Sequence, residues 1–367
     1  MHLKLKKQKI QDNLSKIQNI VEKKSIMPVL NHFLMDVTQN GGYILATDLE
    51  TAVKQPLDVE VLQPGRACIP AKKFYEIVKE LAEDIEITLV EQWIKIQSGR
   101  SNFRLATLDP AEFPVWPDIG DATKIDLSRD FLLTAIEKTI YASGDADVRY
   151  VLNGLLFHIK ASSEFKVVGT DGHRLAVFSA PAEGMNFTEE KKIILSKKSL
   201  NELRKFLSDT ETVSLHIGKT HVMCEMDGIT FLTRMIDGNY PEYEAVIPKN
   251  NDKVAVVDKS MFIASLKRVS VLSREHQNAV KTEWDKNLVI ISSSDPELGE
   301  ARDELPIDYQ GEPFITGFNA RYLIDALEKI TSDKAKITMS KPDKAVYITD
   351  ADVTSFVYEC VVMPLRI

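Results

Sequence analysis

The order of helix-like and strand-like segments recurs three times along this chain of 367 residues. Each copy begins with an amphipathic helix, continues through alternating strands to a second helix, and ends in further strands. Successive copies are offset by about 120–130 residues, which is the size of a small domain. Helices are predicted at 14–24, 72–81, 131–142, 197–207, 262–274 and 320–330. The repeat predicts an α+β chain of three similar domains, each with two helices packed against antiparallel sheet.

Two polar, proline-marked joins separate the copies, at 114–120 and at 248–252. They predict domains at 1–120, 121–250 and 251–367. Hydrophobic residues make up 44% of the chain and charged residues 27%, the balance of a soluble globular protein. The sequence has neither an apolar run long enough for a membrane helix nor a signal peptide. We therefore expect a cytoplasmic protein without a membrane partner.

Metal and cofactor sites have no recognisable pattern in the chain. The three cysteines, Cys68, Cys224 and Cys360, are far apart and fit neither a zinc site nor a disulfide framework. His216 and His221 do not have the spacing of metal ligands. Phosphate-binding loops, dinucleotide fingerprints and nucleophile elbows are also missing. We expect no metal and no cofactor.

Positive charge concentrates on the predicted helices although the whole chain has a net charge of −8. Those helices carry sixteen lysines and arginines against seven acids, a balance of +9, which leaves −17 for the rest. One explanation is the ordinary polar face of amphipathic helices. The other is a positive helical surface that attracts phosphates, backed by negative sheet.

The sequence at 170–176, Thr-Asp-Gly-His-Arg-Leu-Ala, has two interpretations. His173 beside Asp171 and Arg174 could act as a general base in a metal-free hydrolase. However, no nucleophile is marked nearby. An Asp-Gly pair between strands at 165–169 and 175–178 favours a hairpin turn.

The carboxyl-terminal end, Val-Val-Met-Pro-Leu-Arg-Ile, is strongly apolar. Chain ends fray unless something holds them, so this end is expected to dock on the protein or on a partner. Val361 and Val362 could complete a last strand of a sheet. Pro364 cannot donate to a β-ladder, so a regular strand is not expected beyond that point.

Four segments together, at 147–154, 170–176, 240–248 and 361–367, resemble the bacterial DNA polymerase sliding clamps, the beta subunits of DNA polymerase III. The resemblance covers essentially the whole chain. It implies the DNA clamp fold, in which two copies join head to tail as a homodimer ring with helices inside and sheets outside. It also implies a non-catalytic function.

Helix dimensions agree with a ring of two chains. Six helices side by side at about 9 Å form a circle about 17 Å across, which leaves almost no bore. Twelve helices form a circle about 34 Å across with about 24 Å clear, enough to pass a duplex. Such a ring would slide on duplex DNA without sequence specificity and keep a polymerase at the primer end.

The resemblance also implies partners and site residues. Expected partners are the replicative DNA polymerase, the clamp loader and other proteins that insert short peptide motifs into a groove. The expected groove residues are Leu152, Thr170, Gly172, His173, Arg174, Leu175, Pro241, Val246, Val361, Val362, Met363, Pro364 and Arg366. The expected DNA-facing residues are Lys24, Arg149, Tyr150, Lys197 and Lys198. Val151 replaces an expected aromatic gate, and Ala245 stands where some members have arginine, so the groove should be more open and less basic.

The dimer seam should join the first domain of one chain to the third domain of the other. Phe103 and Leu105 are expected to contact Val271 and Leu272. The charged residues expected at the seam are Lys72, Lys73, Glu300, Asp303 and Glu304. The alternatives to a ring are the hydrolase that uses His173 and a monomeric protein-interaction scaffold that does not bind DNA.

Overall fold

A computed structural model describes residues 1–21, 26–160, 164–181, 189–207, 210–273 and 278–366. Lys24, expected to face DNA, lies outside these residues. The α-helices of the described ranges are α1 (Lys7–Ile17), α2 (Ala71–Glu80), α3 (Arg129–Thr139), α4 (Lys197–Phe206), α5 (Lys259–Ser270) and α6 (Ala320–Leu327). None of them has the length and apolarity that a membrane span requires.

The predicted position of the first helix, 14–24, is wrong. Helix α1 begins seven residues earlier and ends at Ile17, and its buried face consists of Ile10, Leu14 and Ile17. These residues have the same helical spacing as the set that suggested the later position. The other five helices lie within a few residues of their predicted positions. For example, α5 begins at Lys259 because the Asp258 side chain accepts a hydrogen bond from the Met261 backbone N–H.

The strands of the first half of the chain are β1 (His2–Leu5), β2 (His32–Thr38), β3 (Gly41–Thr47), β4 (Thr51–Leu57), β5 (Val59–Gln63), β6 (Gly65–Pro70), β7 (Ile85–Val90), β8 (Trp93–Ser98), β9 (Ser101–Ala106), β10 (Thr123–Ser128), β11 (Gly154–Lys160), β12 (Glu164–Thr170) and β13 (Arg174–Pro181). Those of the second half are β14 (Lys191–Ser196), β15 (Thr212–Ile217), β16 (His221–Met226), β17 (Ile229–Arg234), β18 (Lys253–Asp258), β19 (Ala279–Asp285), β20 (Leu288–Asp295), β21 (Gly299–Pro306), β22 (Asp308–Tyr309), β23 (Phe314–Asn319), β24 (Lys334–Met339), β25 (Val346–Asp350) and β26 (Val357–Val362). Every pairing between them is antiparallel, so the predicted α+β class is confirmed.

The chain forms two compact units. The first unit, residues 1–133 and 198–235, contains a five-stranded sheet in the order β5-β1-β7-β8-β9 and an eight-stranded sheet in the order β10-β15-β16-β17-β4-β3-β2-β6. Helices α1 and α2 contact each other in this unit. The second unit, residues 134–197 and 236–367, contains a nine-stranded sheet in the order β14-β11-β12-β13-β26-β25-β24-β18-β22 and a four-stranded sheet in the order β21-β20-β19-β23.

Both large sheets combine strands from two successive copies of the repeat. In the first unit β4 pairs with β17, and in the second unit β13 pairs with β26. The carboxyl-terminal strand β26 is therefore a central strand. The predicted strand at Val361 and Val362 is confirmed, because both residues are buried and both pair with β13.

Candidate peptide groove, basic surface and strand edges

A tight turn at residues 170–174, here called the groove turn, joins β12 to β13. Thr170 Oγ1 donates to the Arg174 carbonyl oxygen over 2.6 Å and accepts from the Gly172 N–H over 3.1 Å. Asp171 Oδ1 accepts from the backbone N–H groups of His173 (2.9 Å) and Arg174 (3.0 Å). Gly172 has φ +85°, a conformation that glycine adopts at little cost. The predicted hairpin turn is confirmed.

Arg174 connects this turn to helix α6. Its guanidinium donates to Asp171 Oδ2 (3.0 Å), Asp325 Oδ2 (2.6 Å) and the Tyr141 carbonyl oxygen (2.7 Å), and it lies 4.5 Å from the ring centre of Tyr322. Burial disfavours the charge, but the carboxylates of Asp325 and Asp171 keep the pKa of Arg174 above its ordinary value. The Arg174 side chain is only 11% exposed, so it holds the turn in place more than it offers free donors.

The carboxyl-terminal segment crosses the groove turn and is held by backbone hydrogen bonds. The Met363 N–H donates to the His173 carbonyl oxygen over 2.9 Å, and the Leu365 N–H donates to the Gly317 carbonyl oxygen over 2.8 Å. Met363 keeps 44% of its surface exposed. The expected docking of the apolar chain end is thus found within the described residues.

A buried apolar cluster lies beneath the turn and the chain end, and we call it the groove floor. Its members are Leu156, Val168, Leu175, Val177, Ile194, Tyr243 and Val361. Val151, Ile236, Tyr240, Ile247, Ala345 and Tyr347 pack against it and are partly buried. Val246 is 55% exposed and lines an open depression that also includes Ala345. Together these residues form a buried apolar layer whose margin, at Val246, is exposed.

The expected groove residues do not all face this surface. Leu152 is almost fully buried in the short 3-10 helix Tyr150–Asn153. Val362 belongs to the opposite core, with α5 and α6, because successive strand residues point to opposite faces. Pro241 and Arg366 are exposed, and Pro364 is half-buried.

Sequence reasoning missed Tyr322, whose ring stacks on that of His173 with centroids 6.5 Å apart and an interplanar angle of 23°. It also missed Asp325, the second carboxylate of Arg174. Both lie on α6, far from the groove turn in the sequence, and neither has a local sequence signal for this role. Val151, the expected gate position, is half-buried at the edge of the floor, and Ala245 is exposed.

A buried histidine supports the floor from below. His158 Nδ1 lies 2.8 Å from the Tyr243 hydroxyl, and its Nε2 is hydrogen-bonded to Glu190. Burial lowers the pKa of His158, and the bond to Glu190 only partly opposes that change. The Tyr243 hydroxyl is therefore hydrogen-bonded to a histidine whose neutral form is favoured.

Four of the residues expected to face DNA lie in the described ranges. Three of them, Arg149, Lys197 and Lys198, are basic, and each forms an ion pair with an aspartate. Arg149 donates to Asp147 through Nε (3.0 Å) and Nη2 (2.7 Å), which lowers the pKa of Asp147 to about 2, and Tyr150 is 78% exposed. In the second unit Lys197 Nζ lies 2.9 Å from Asp145 Oδ1. In the first unit, separately, Lys198 Nζ lies 2.5 Å from Oδ2 of Asp48.

The observed helices keep the charge excess that the sequence indicates. Helices α1 to α6 carry sixteen lysines and arginines against seven acids, a balance of +9. Within the described part of the chain, no group of three or more His, Cys, Asp or Glu side chains could hold a metal ion.

Each unit has an open strand edge that includes expected seam residues. In the first unit β9 is an outer strand of its sheet, and Phe103 on it is 38% exposed. In the second unit β21 is an outer strand that carries Glu300, Asp303 and Glu304, and Val271 at the end of α5 is 74% exposed.

Several of the expected charged seam residues have partners within the chain. Lys73 Nζ lies 2.7 Å from Glu76, and Lys72 lies 4.0 Å from the same carboxylate. Asp303 is hydrogen-bonded to Arg268, and Glu304 lies 2.7 Å from Arg302. A pair across the seam would share or exchange these partners, and each such exposed pair contributes little.

Models of one protein family match nearly the whole chain. The DNA polymerase III beta subunit N-terminal domain matches residues 1–117, the central domain residues 126–242, and the C-terminal domain residues 244–366.

Individual relatives and solved structures agree with these matches. The chain is 31% identical over 373 residues to a beta sliding clamp of Pseudomonas putida, with 100% of both chains covered. It is 32% identical over 345 residues to that of Escherichia coli, with 93% of both covered. Its fold is similar to the sliding clamp of Caulobacter crescentus, with a TM-score of 0.93, 30% identity and full coverage of both chains. It is also similar to that of Bacillus subtilis, with a TM-score of 0.94, 26% identity and coverage of 100% and 99%.

Proposed function

The chain belongs to the DNA polymerase III beta subunit family, the beta sliding clamps, and from that membership we propose which surfaces carry each part of the clamp's work. The protein is a non-catalytic processivity factor that acts on DNA as a dimer and tethers polymerase. Nothing supports the alternative of a hydrolase that uses His173. The site residues, the domain limits and the cellular compartment are parts of the proposal.

We propose three domains, at 1–120, 121–250 and 251–367. The three-part repeat of the sequence supports these limits, and so do the ranges of the three family models. The eight-stranded and nine-stranded sheets each contain strands from both sides of a proposed domain limit. A domain can therefore end within a continuous sheet. Two such chains would place six domains around the duplex.

The basic helices are proposed to face DNA. A closed ring leaves DNA only at an end or by opening, so retention requires little affinity, and base-specific contacts would hinder sliding. Phosphate contacts suit this task because they carry no sequence information. The observation that supports the proposal is the +9 balance of the helices within a chain whose net charge is −8.

The groove turn, the groove floor and the chain end are proposed to bind the peptide motifs of the polymerase, the clamp loader and other partners. The observation that supports this proposal is the hydrogen bond from the Met363 N–H to the His173 carbonyl oxygen, which fixes the exposed Met363 beside the groove turn. Apolar side chains of a peptide would lie on the floor. Exposed backbone groups and His173 would direct its polar residues.

The dimer seam is proposed to join β9 of one protomer to β21 of its partner. An outer strand presents unpaired N–H and C=O groups that a second strand can complete. Arg104 on β9 and the acids of β21 have opposite charges, which favours this pairing. Because the two edges differ, the contact is head to tail, and two copies close a ring with two seams. The compartment is proposed to be the cytoplasm, where the replicated DNA lies.

A topological experiment tests the clamp function. The protein is loaded on a nicked circular plasmid by a clamp loader, washed in 1 M salt (about 3 Å Debye length) and assayed before and after the plasmid is linearised. We expect retention on the circle and release from the linear form. Loss from the intact circle would contradict encirclement. Sedimentation of the free protein as a monomer at all concentrations would contradict the ring.

A further inference from the structure

A second turn, at residues 47–51 in the first unit, repeats the groove turn bond for bond, and we call it the cleft turn. Thr47 Oγ1 donates to the Thr51 carbonyl oxygen over 3.0 Å and accepts from the Leu49 N–H over 3.0 Å. Asp48 Oδ1 accepts from the N–H groups of Glu50 (3.0 Å) and Thr51 (2.7 Å). Leu49 has φ +74°, in the place of the glycine of the groove turn.

The strand that crosses the cleft turn is also repeated. Strand β17 pairs antiparallel with β4, as β26 pairs with β13. The Arg234 N–H then donates to the Glu50 carbonyl oxygen over 2.8 Å, as the Met363 N–H donates to the His173 carbonyl oxygen over 2.9 Å. The backbone frame of the groove therefore exists twice in the chain.

An apolar cluster lies beneath the cleft turn, as the groove floor lies beneath the groove turn. Its buried members are Val29, Leu30, Leu34, Leu45, Cys68 and Phe113. Leu34 pairs with both Leu45 and Cys68 across neighbouring strands. Leu156 of the groove floor pairs in the same way with Val168 and Ile194. The same strand positions thus supply both floors.

The surface above this cluster is an open apolar cleft. It encloses about 370 Å³ of empty space, including the part open to solvent, and Leu45 and Leu232 lie at its base. Leu49 is 53% exposed and Val115 is 91% exposed at its margins. Trp116 lines the cleft and packs on the cluster below. Exposed apolar side chains around a concave surface mark a binding site.

The cleft differs from the groove in the charged side chain at its margin. Glu50 is the charged side chain of its lining, is exposed, and has no ion-pair partner among the described residues. The groove turn carries His173 and Arg174 at the positions of Glu50 and Thr51. A carboxylate at the margin of an apolar cleft selects an occupant with a cation beside its apolar residues.

We propose that this cleft is a second peptide-binding site, which takes an extended apolar segment of a partner protein that carries lysine or arginine. The proposal goes beyond the clamp function, because the exposed carboxylate of Glu50 has no counterpart in the groove turn, where His173 occupies the equivalent position. One ring could then hold two classes of partner on each protomer.

The test uses the full-length protein and a fluorescein-labelled hexapeptide, Gly-Lys-Leu-Leu-Phe-Gly, with a photoreactive leucine at its third position. A matched peptide has glutamate in place of lysine. Binding is measured by fluorescence anisotropy, and cross-links are mapped by mass spectrometry. We expect the lysine peptide to cross-link to residues 47–52 or 114–117 and to bind about five- to tenfold more tightly than the glutamate peptide.

Three variants assign the site. Glu50→Lys should weaken binding of the lysine peptide about tenfold and reverse the preference between the two peptides. Val115→Ser should weaken binding of both peptides in the cleft, because it removes apolar surface without adding charge, whereas Val353→Ser, at a similarly exposed valine in the other unit, should not. Val246→Ser, at the groove margin, should leave the cross-links of the lysine peptide to the cleft unchanged. Circular dichroism and sedimentation verify that each variant is folded and dimeric.

Other outcomes would overturn the proposal. These are no binding at millimolar peptide, equal binding by Glu50→Lys, or cross-links on His173 and Met363 in place of the cleft. Assembly of rings into larger particles that Val115→Ser abolishes would also overturn it, because the occupant would then be a second copy of the chain. Since the plasmid assay does not depend on Glu50, these outcomes are distinguishable from failure of the clamp function.

Discussion

The backbone N–H of Met363 donates to the carbonyl oxygen of His173 over 2.9 Å, so the end of the chain is bonded to the turn that bears the groove's polar residues. Only backbone atoms form this bond, and it therefore fixes the path of the chain while the side chains of both residues stay exposed. A peptide that lies on the groove floor would contact both sides of one preformed frame. Preformed frames reduce the entropy lost on binding.

Deletion of residues 363–367 should separate partner binding from dimerisation. Strand β26 ends at Val362 and keeps its pairs with β13 and β25, so the fold should persist. The bonds from Met363 and Leu365 would be lost, together with one wall of the groove. We expect a dimer by sedimentation but no stimulation of polymerase in a primer-extension assay. A truncated protein that still supports processive synthesis would contradict the groove assignment.

Substitution of Arg174 by alanine should destabilise the second unit by about 3 kcal/mol, because the largely buried Asp171 would lose its ion-pair partner and Asp325 would keep only the exposed Arg321. Urea unfolding followed by tryptophan fluorescence measures this change, since Trp284 lies in the core of the same unit. Peptide affinity should fall as well, because the groove turn loses its link to α6.

Arg321 provides the matched control for that substitution. It also lies against Asp325, at 2.8 Å, but its side chain is 69% exposed. Arg321→Ala should therefore cost less than about 1 kcal/mol. Equal destabilisation by the two variants would show that the burial of the arginine does not determine how much its ion pair with Asp325 contributes to the free energy of unfolding.

The sequence indicates the groove turn well because its requirements are local. A positive φ at the third residue favours glycine, and Asp171 accepts from the next two N–H groups, so the Asp-Gly pair marks the turn without any knowledge of the fold. The cleft turn has the same bonds with Leu49 in that place, so it has no glycine signal. Only the paired strands reveal that the two turns are equivalent.

Other features depend on contacts that no sequence pattern specifies. The limits of α1 were mispredicted because Leu14 and Ile17 fit two overlapping helical patterns, and packing against α2 selects the earlier one. Asp325 was missed because its partner, Arg174, is distant in the sequence. The pairings β4–β17 and β13–β26 join strands of successive copies of the repeat, and no pattern within one copy indicates them.

Acid should loosen the groove floor through His158. The unfolded chain has the ordinary histidine pKa of 6.5, while burial lowers the folded value. Between these two values the unfolded state binds more protons, so the free energy of unfolding falls as pH drops below about 6.5. We expect the melting temperature of the wild type to decrease from pH 7.5 to pH 5.5. His158→Gln should reduce that decrease.

Glu190→Gln gives the converse test of the same histidine. The Glu190 carboxylate raises the pKa of His158 against the effect of burial, so its removal should lower that pKa further. The loss of stability in acid should then be larger than in the wild type. A smaller loss in this variant would mean that another group controls the pH dependence.

Substitution of Phe103 by lysine should weaken the dimer. Phe103 lies on the outer strand β9. Because a ring of two chains has two identical seams, the substitution reduces the free energy of dimerisation at both of them. At about 1.5 kcal/mol per seam the dissociation constant rises roughly 100-fold. Leu62→Lys is the matched control, because Leu62 is 44% exposed on β5 at the opposite edge of the same sheet. Analytical ultracentrifugation would contradict the seam if both variants dissociated equally.

The pair of Lys197 and Asp145 should tune the electrostatic attraction to DNA. Lys197 begins α4 and lies 2.9 Å from the Asp145 carboxylate, which is 83% exposed. If Lys197 neutralises a phosphate, Lys197→Gln should reduce the slope of log affinity against log salt by about 0.9 for each protomer. Asp145→Asn should instead raise the affinity for a linear duplex by up to about threefold, since a competing anion is removed.

Lys286 serves as the control for this comparison, because it is exposed on the turn between β19 and β20, on sheet and not on helix. Lys286→Gln should leave the salt slope unchanged in the same anisotropy titrations. An equal decrease of the slope for Lys286→Gln and Lys197→Gln would mean that DNA responds to the net charge of the protein alone. The helices would then have no special part in holding the duplex, and the +9 balance on them would be the ordinary polar face of amphipathic helices.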